Sequence, residues 1–322
     1  MNRLLFLFSC ILFCFGSING QDGIPTVASG KVVRHSKFPS KYVDARTVDV
    51  WLPKGYSTKT KYAVLYMHDG QMLFDTSKTW NHQEWGVDET AGKLIKAGKV
   101  VPFIVVAVWN LPHLRFSDYY PAKPFLALSE ENKSVVLSLG KNNFGKSFPG
   151  GIPDSDEYLK FLVEELKPFI DLNYSTHKTA DHTFIAGSSM GGLISMYAVC
   201  EYPQIFGGAA CLSTHWPGVM NNQHPAIGGA FLDYLASHCP DSKSHRLYFD
   251  HGTTTIDSLY KPYQQKADSI LKEKGFAKGN LMTRKFLGAP HTEDAWRKRF
   301  NIPLEFLLST PLGKSKMTRK GK

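Results

Sequence analysis

Apolar and polar positions along this chain follow two alternating rhythms, one repeating every second residue and one every three to four. Segment 47–52 alternates with the period of a strand, and 62–67 is a short apolar run ending at His68-Asp69-Gly70-Gln71. Segment 84–96 has helical spacing and stops before Gly98, while 103–109 is a continuous, β-branched apolar run. Such a run is the mark of a strand buried on both faces. A helix is predicted from Ser155, with Leu159, Leu162, Val163, Leu166 and Ile170 along one face. Strands at 182–186, 208–213, 246–250 and 281–287 then alternate with helices at 191–202, about 225–238, 260–274 and about 292–301. Gly275 stands where a left-handed helix cap is usual. Segment 121–153, with scattered Gly, Pro, Ser, Asn and Lys, breaks the rhythm and reads as an insertion or lid. The alternation predicts the α/β class: a mostly parallel central sheet with helices on both faces. In such sheets ligands bind beyond the carboxyl ends of the strands.

The two ends stand outside this pattern, so the single domain is expected over 21–312. Residues 1–20 carry one charge, Arg3, then the apolar run 4–15, then a small polar stretch. That is the layout of a secretory signal peptide, and the run is shorter than the roughly 20 residues a membrane-spanning helix needs. The chain is therefore expected to be exported, to the periplasm or beyond, without stable membrane insertion. Residues 313–322 hold five basic residues and no acidic one, a basic tail. Without Arg3 and those five cations the formal charge of +10 falls to +4, which argues against a nucleic-acid partner. Export implies an oxidising compartment, yet only Cys200, Cys211 and Cys239 remain beyond the leader. A core of this size does not need a disulfide, and these residues are expected to be buried apolar fillers.

The sharpest chemical signal is Gly187-Ser188-Ser189-Met190-Gly191-Gly192, entered by a predicted strand and left by a predicted helix. It fits Gly-x-Ser-x-Gly with Ser189 at the centre; choosing Ser188 would lose the glycine spacing on both sides. A nucleophile raised above a sheet needs a tight, strained strand-to-helix turn, and side chains two residues before and after would crowd the neighbouring elements. A serine hydroxyl also needs a base to take its proton. Of the twelve histidines, His291 follows the last predicted strand and the turn Gly288-Ala289-Pro290, and so falls beside the elbow. His251 ends a strand and is the alternative. The orienting carboxylate is expected between Ser189 and His291. Asp257, in the loop after 246–250, is favoured there over Asp250, at the end of that strand. Two N–H donors are needed for an oxyanion: one from Met190, the other from the turn after 62–67, where Gln71 is preferred and Gly70 is close behind. His68 beside that turn is expected to line the pocket. No Gly-rich phosphate loop and no convincing zinc spacing is present, so no cofactor and no metal is called for.

Five stretches in order add a resemblance: His68-Asp69-Gly70-Gln71-Met72-Leu73-Phe74-Asp75, Glu84-Trp85-Gly86-Val87-Asp88-Glu89, 187–197, Ser213-Thr214-His215-Trp216 and His291-Thr292-Glu293-Asp294-Ala295-Trp296. Together they resemble the "putative esterase" family of α/β hydrolases, which includes feruloyl esterases, enterochelin esterases, S-formylglutathione hydrolase and the antigen 85 mycolyltransferases. The resemblance implies the α/β-hydrolase fold, with Ser189 as nucleophile, His291 as base, an acid in the loop that holds Asp257, and Gln71 as second oxyanion donor. Trp216 is expected at the pocket wall, or else packed in the core. The activity implied is that of an exported serine carboxylic-ester hydrolase working through an acyl-enzyme on carbohydrate-linked feruloyl or acetyl esters. A siderophore esterase and an acyltransferase are the alternatives.

Overall fold

The computed structural model describes residues 23–144 and 148–309 of the 322; the expected signal peptide and the whole of the basic tail lie outside them. Eight strands form one sheet: β1 (Lys31–Phe38), β2 (Arg46–Leu52), β3 (Ala63–Met67), β4 (Phe103–Val108), β5 (Thr183–Ser188), β6 (Gly208–Leu212), β7 (Arg246–His251) and β8 (Leu281–Lys285). Their order is β1-β2-β4-β3-β5-β6-β7-β8. β1 and β2 run antiparallel at one edge, and every pair from β4 to β8 is parallel. This is the α/β architecture that the strand–helix alternation predicts.

The central strands β3, β4 and β5 are buried along their whole length. Successive residues nonetheless serve opposite faces, because side chains alternate across a strand. Val64 and Tyr66 of β3 join a core with Tyr158, Leu159 and Leu193, whereas Leu65 and Met67 join another with Leu94, Trp85, Trp296 and Leu304. Each such large apolar side chain contributes about 1.5–3 kcal/mol on burial. The covering helices are α1 (Val87–Lys96), α2 (Arg115–Tyr119), α3 (Ala122–Leu126), α4 (Glu130–Phe144), α5 (Ser155–Lys160), α6 (Lys167–Asn173), α7 (Met190–Glu201), α8 (Pro225–His238), α9 (Lys261–Glu273), α10 (Glu293–Arg297) and α11 (Asn301–Leu308). A π-helical stretch, Phe161–Leu166, joins α5 to α6.

Several boundaries differ from the pattern of the sequence, each for a local reason. Helix α1 starts at Val87 rather than 84, because Gly86 takes a left-handed conformation (φ 57°) and Trp85 donates its N–H to the Met72 carbonyl. β1 was not expected; its edge position leaves much of it half-exposed, which blurs the apolar alternation. Segment 121–153, expected as an insertion or lid, is largely helical in the described residues. Its aromatic residues pack inward, with Phe125 against Phe148 (ring centroids 5.2 Å apart) and against the preceding Tyr120 (6.0 Å). Gly275 has the left-handed φ (87°) expected after α9. Cys200, Cys211 and Cys239 are free thiols, the first two buried and the third half-buried. No helix among the described residues is long and apolar enough to cross a membrane.

Candidate active site

The residues singled out as catalytic candidates all follow the carboxyl ends of parallel strands. β5 runs into Ser189, whose backbone sits at φ 57° and ψ −121°, and α7 begins at the next residue. A non-glycine residue held there costs on the order of 1–3 kcal/mol, which the flanking strand and helix must impose. The turn is pinned by three hydrogen bonds. The Ser189 N–H donates to the Leu212 carbonyl (3.0 Å), and the Ser189 carbonyl accepts from the N–H groups of Leu193 and His215 (both 3.1 Å). The crowding expected on both sides is in fact unequal. A Cβ at residue 187 would stand 2.7 Å from the carbonyl carbon of Gly191, so only glycine fits there. At residue 191 it would meet the His68 Cβ at 3.4 Å, an ordinary contact. Ser188 closes β5 as a buried residue, while Ser189 is half-exposed.

His291 and Asp257 meet directly, Nδ1 to Oδ1 at 2.5 Å. The short helical turn Thr255–Leu259 after β7 carries the aspartate, and the loop before α10 carries the histidine. Asp257 has no solvent exposure, and its second oxygen accepts from the Gly252 N–H (2.5 Å) and the Ser213 hydroxyl (2.6 Å). Burial opposes its ionisation, but the hydrogen bond and charge of His291, followed by the Ser213 and Gly252 bonds, hold the carboxyl below its usual range. The His291 ring is held edge-on by Trp296 (5.0 Å, 83°) and by Tyr260 (6.0 Å, 76°).

The alternatives are occupied elsewhere. Asp250 is fully buried and accepts two bonds from Arg299 (2.8 and 3.1 Å), one from the Tyr248 hydroxyl (2.8 Å) and one from the Ser213 N–H (3.1 Å). It closes an internal ion pair and does not meet His291. His251 is buried, with Nδ1 at 2.6 Å from the Gly252 carbonyl.

Gln71 lies in the short 3-10 turn Gly70–Met72, entered through Asp69 in a left-handed conformation (φ 56°, ψ 44°). Met190 is the first residue of α7. Backbone N–H groups at the start of a helix have no partner within it, so both amides are of the kind that can serve an oxyanion. The Gln71 loop is braced, since Gln71 Oε1 accepts from the Asn110 N–H (3.2 Å) and Asp69 takes two bonds from Arg115 (2.7 and 2.8 Å).

Two residues expected at the pocket are buried. Trp216 is fully buried, stacked on Phe249 (5.9 Å, 29°), and donates its indole N–H to Gln264 Oε1 at 2.9 Å, which makes it core packing. His68 is only 2% exposed and lies under α7, with Nδ1 at 2.8 Å from the Tyr158 hydroxyl. Burial, the main cause, pushes its pKa down to about 3, so the ring is neutral and faces the interior. Both residues follow strand ends, which suggested a place in the pocket, but the packing of the helices above them decides otherwise.

The sequence reading passed over the layer that supports the triad candidates. Ser213 Oγ donates to Asp257 while accepting from the Trp296 indole N–H (3.0 Å) and from Arg299 Nη2 (2.9 Å). Tyr260, whose ring borders His291, is joined to His215, Oη to Nδ1 at 2.9 Å. The motifs 213–216 and 291–296 contain most of these residues, but only His291, from its place after the last strand, and Trp216, from the family resemblance, were given a role.

An elbow serine on a parallel sheet, with a histidine–aspartate pair on neighbouring loops, defines an α/β hydrolase. The chain belongs to the esterase family described as "Putative esterase", which it matches over residues 41–303, and is thus by class a carboxylic-ester hydrolase. It is 29% identical over 262 residues to "Endo-1,4-beta-xylanase/feruloyl esterase" of Xylanibacter ruminicola, a match covering 79% of this chain and 28% of that much longer protein. A solved ferulic acid esterase superposes with a TM-score of 0.62 at 19% identity, covering 87% of this chain and 98% of the other. An enterochelin esterase from Shigella flexneri superposes with a TM-score of 0.59 at 17% identity, covering 89% and 60%.

Proposed function

We propose that this chain is an exported serine esterase that cleaves carbohydrate-linked feruloyl or acetyl esters through an acyl-enzyme, with one catalytic domain over 21–312. The observations that carry the serine mechanism are the 2.5 Å contact between His291 and Asp257 and a serine whose backbone is held at φ 57° between strand and helix. Asp257, ionised and buried, fixes the proton of His291 on Nδ1 and leaves Nε2 as the base. Ser189 gives its proton to that nitrogen as it attacks the ester carbonyl. The N–H groups of Met190 and Gln71 receive the oxyanion, and the alcohol leaves with the proton from His291. Water then repeats the sequence on the acyl-enzyme and regenerates Ser189.

Two observations support a carbohydrate-linked ester. One is the similarity to the xylanase/feruloyl esterase over most of this chain. The other is Trp80, 76% exposed on a loop that Asn81 ties to Glu293 (2.9 Å), two residues beyond His291. An exposed indole beside the histidine loop offers a flat apolar face of the kind on which a sugar ring stacks. Purified protein lacking residues 1–20 should be assayed on feruloylated arabinoxylan oligosaccharide, acetyl-xylan, methyl ferulate and a catecholate trilactone. The highest kcat/KM is expected on a sugar-linked ester. Cleavage of the trilactone alone would replace this substrate class with the siderophore one, and acyl transfer to an added sugar in preference to water would make the protein an acyltransferase.

A further inference from the structure

Two buried side chains beside Ser189 have no part in the mechanism above. Tyr260 has no solvent exposure and His215 only 5%, and His215 Nδ1 lies 2.9 Å from the Tyr260 hydroxyl, the rings edge-to-face at 5.9 Å and 76°. Each is tied through its backbone to a different member of the candidate triad. The His215 N–H donates to the Ser189 carbonyl, and the Tyr260 N–H donates to the Asp257 carbonyl, both at 3.1 Å. The Tyr260 ring also stands edge-on to His291 at 6.0 Å. One phenol thus borders nucleophile, base and acid, and one imidazole fixes its oxygen.

The protonation states fit a fixed, uncharged hydrogen-bond pair. Burial first, then the neighbouring His291 and Arg115, pushes His215 down to about 3, so its imidazole is neutral at physiological pH. Burial holds the Tyr260 phenol well above its ordinary range, opposed in part by the neighbouring Ser189 side chain. A neutral phenol against a neutral imidazole adds no charge to compete with His291 for the serine proton.

We propose that Tyr260, anchored by His215, is a positioning residue whose hydroxyl donates to the Ser189 oxygen and so leaves the serine proton pointing at His291, which removes it, while its ring keeps the imidazole upright. This rests on the reading of Ser189 as nucleophile. A tyrosine that only filled the core would affect stability and leave the reactivity of each folded molecule unchanged.

The test compares Tyr260→Phe, which keeps the ring and removes one oxygen, with His215→Ala and His215→Asn; the asparagine amide can place an N–H donor near the Nδ1 position. Two rates are read for each: kcat on 4-nitrophenyl acetate, and the rate of Ser189 phosphonylation by a fluorophosphonate probe, normalised to folded protein. Tyr260→Phe and His215→Ala should each lower both rates about tenfold, the worth of one hydrogen bond, with KM within twofold. His215→Asn should recover most of the loss, and the double variant Tyr260→Phe/His215→Ala should be no slower than either single one. Wild-type rates in Tyr260→Phe overturn the proposal, as does a fall in Tm alone. Should Tyr260→Phe fail to fold, equal rates in His215→Ala and His215→Asn overturn it. A wild-type protein that is not phosphonylated at Ser189 refutes the nucleophile instead.

Discussion

Two aspartates seven residues apart compete for the role of triad acid, and exchanging each for asparagine should give opposite phenotypes. Asp257→Asn keeps the shape and the acceptor for Ser213 and Gly252, but its amide would donate to His291 Nδ1. That moves the imidazole proton to Nε2, the nitrogen that must accept from Ser189. The same change in a Ser-His-Asp triad on an unrelated fold lowers kcat by about 10⁴, and a loss of three to four orders of magnitude is expected here. The cost in stability is small, about 1–2 kcal/mol, because most of the hydrogen bonds survive. Asp250→Asn does the reverse. It leaves Arg299, only 3% exposed, without the carboxylate that two of its nitrogens reach. Removing one partner of a buried pair costs about 3–5 kcal/mol, a large part of the roughly 5–15 kcal/mol that holds a domain folded. Urea denaturation followed by fluorescence gives the stabilities, and hydrolysis of 4-nitrophenyl acetate gives kcat per folded molecule. Asp257→Asn should be folded and nearly inert, and Asp250→Asn labile but active. If Asp250→Asn were the inert protein and Asp257→Asn active, the acid would be misassigned.

Further outcomes follow from the same geometry. Ser213→Ala removes one bond to Asp257 and orphans the Trp296 and Arg299 donors; stability should fall by about 2–4 kcal/mol and kcat by about tenfold, and unchanged urea midpoints and rates would contradict this. Asp88 is buried beside Glu89, and burial, then that neighbour, raises its pKa to about 7 while it accepts from the Ala28 and Ser29 N–H groups. Its folded pKa exceeds the unfolded one, so the native state binds the extra proton and stability drops as pH rises from about 4 to 7. Asp88→Asn should therefore raise Tm at pH 8 and have little effect at pH 4, and a Tm gain equal at both pH values would refute that linkage. Trp80→Ala should raise KM for a feruloylated oligosaccharide at least fivefold more than for methyl ferulate, whereas an equal effect on both would remove Trp80 from sugar binding.

The parallel core was legible because β3 and β4 are buried on both faces and therefore read as unbroken apolar runs. The elbow was legible because steric crowding forces a spacing, most severely at Gly187. Histidine and acid candidates could be ranked by chain order, since the order of strand ends follows the sequence. What escaped was whatever depends on a third dimension. Trp216 and His68 follow strand ends, as pocket residues do, yet the overlying helices bury them. Ser213 sits at φ 42°, a conformation nothing in its sequence announces, and from there it joins Asp257, Trp296 and Arg299, residues 44 to 86 positions away. Helices α3 and α4 were obscured by the proline, glycine and polar residues scattered along them.

The central claim is that a single hydroxyl carries the chemistry. Ser189→Ala protein, shown by circular dichroism and thermal melting to be folded like the wild type, should hydrolyse 4-nitrophenyl acetate no faster than buffer does beyond a residual contribution from the oxyanion donors. Turnover at wild-type rates in that folded variant would contradict the account.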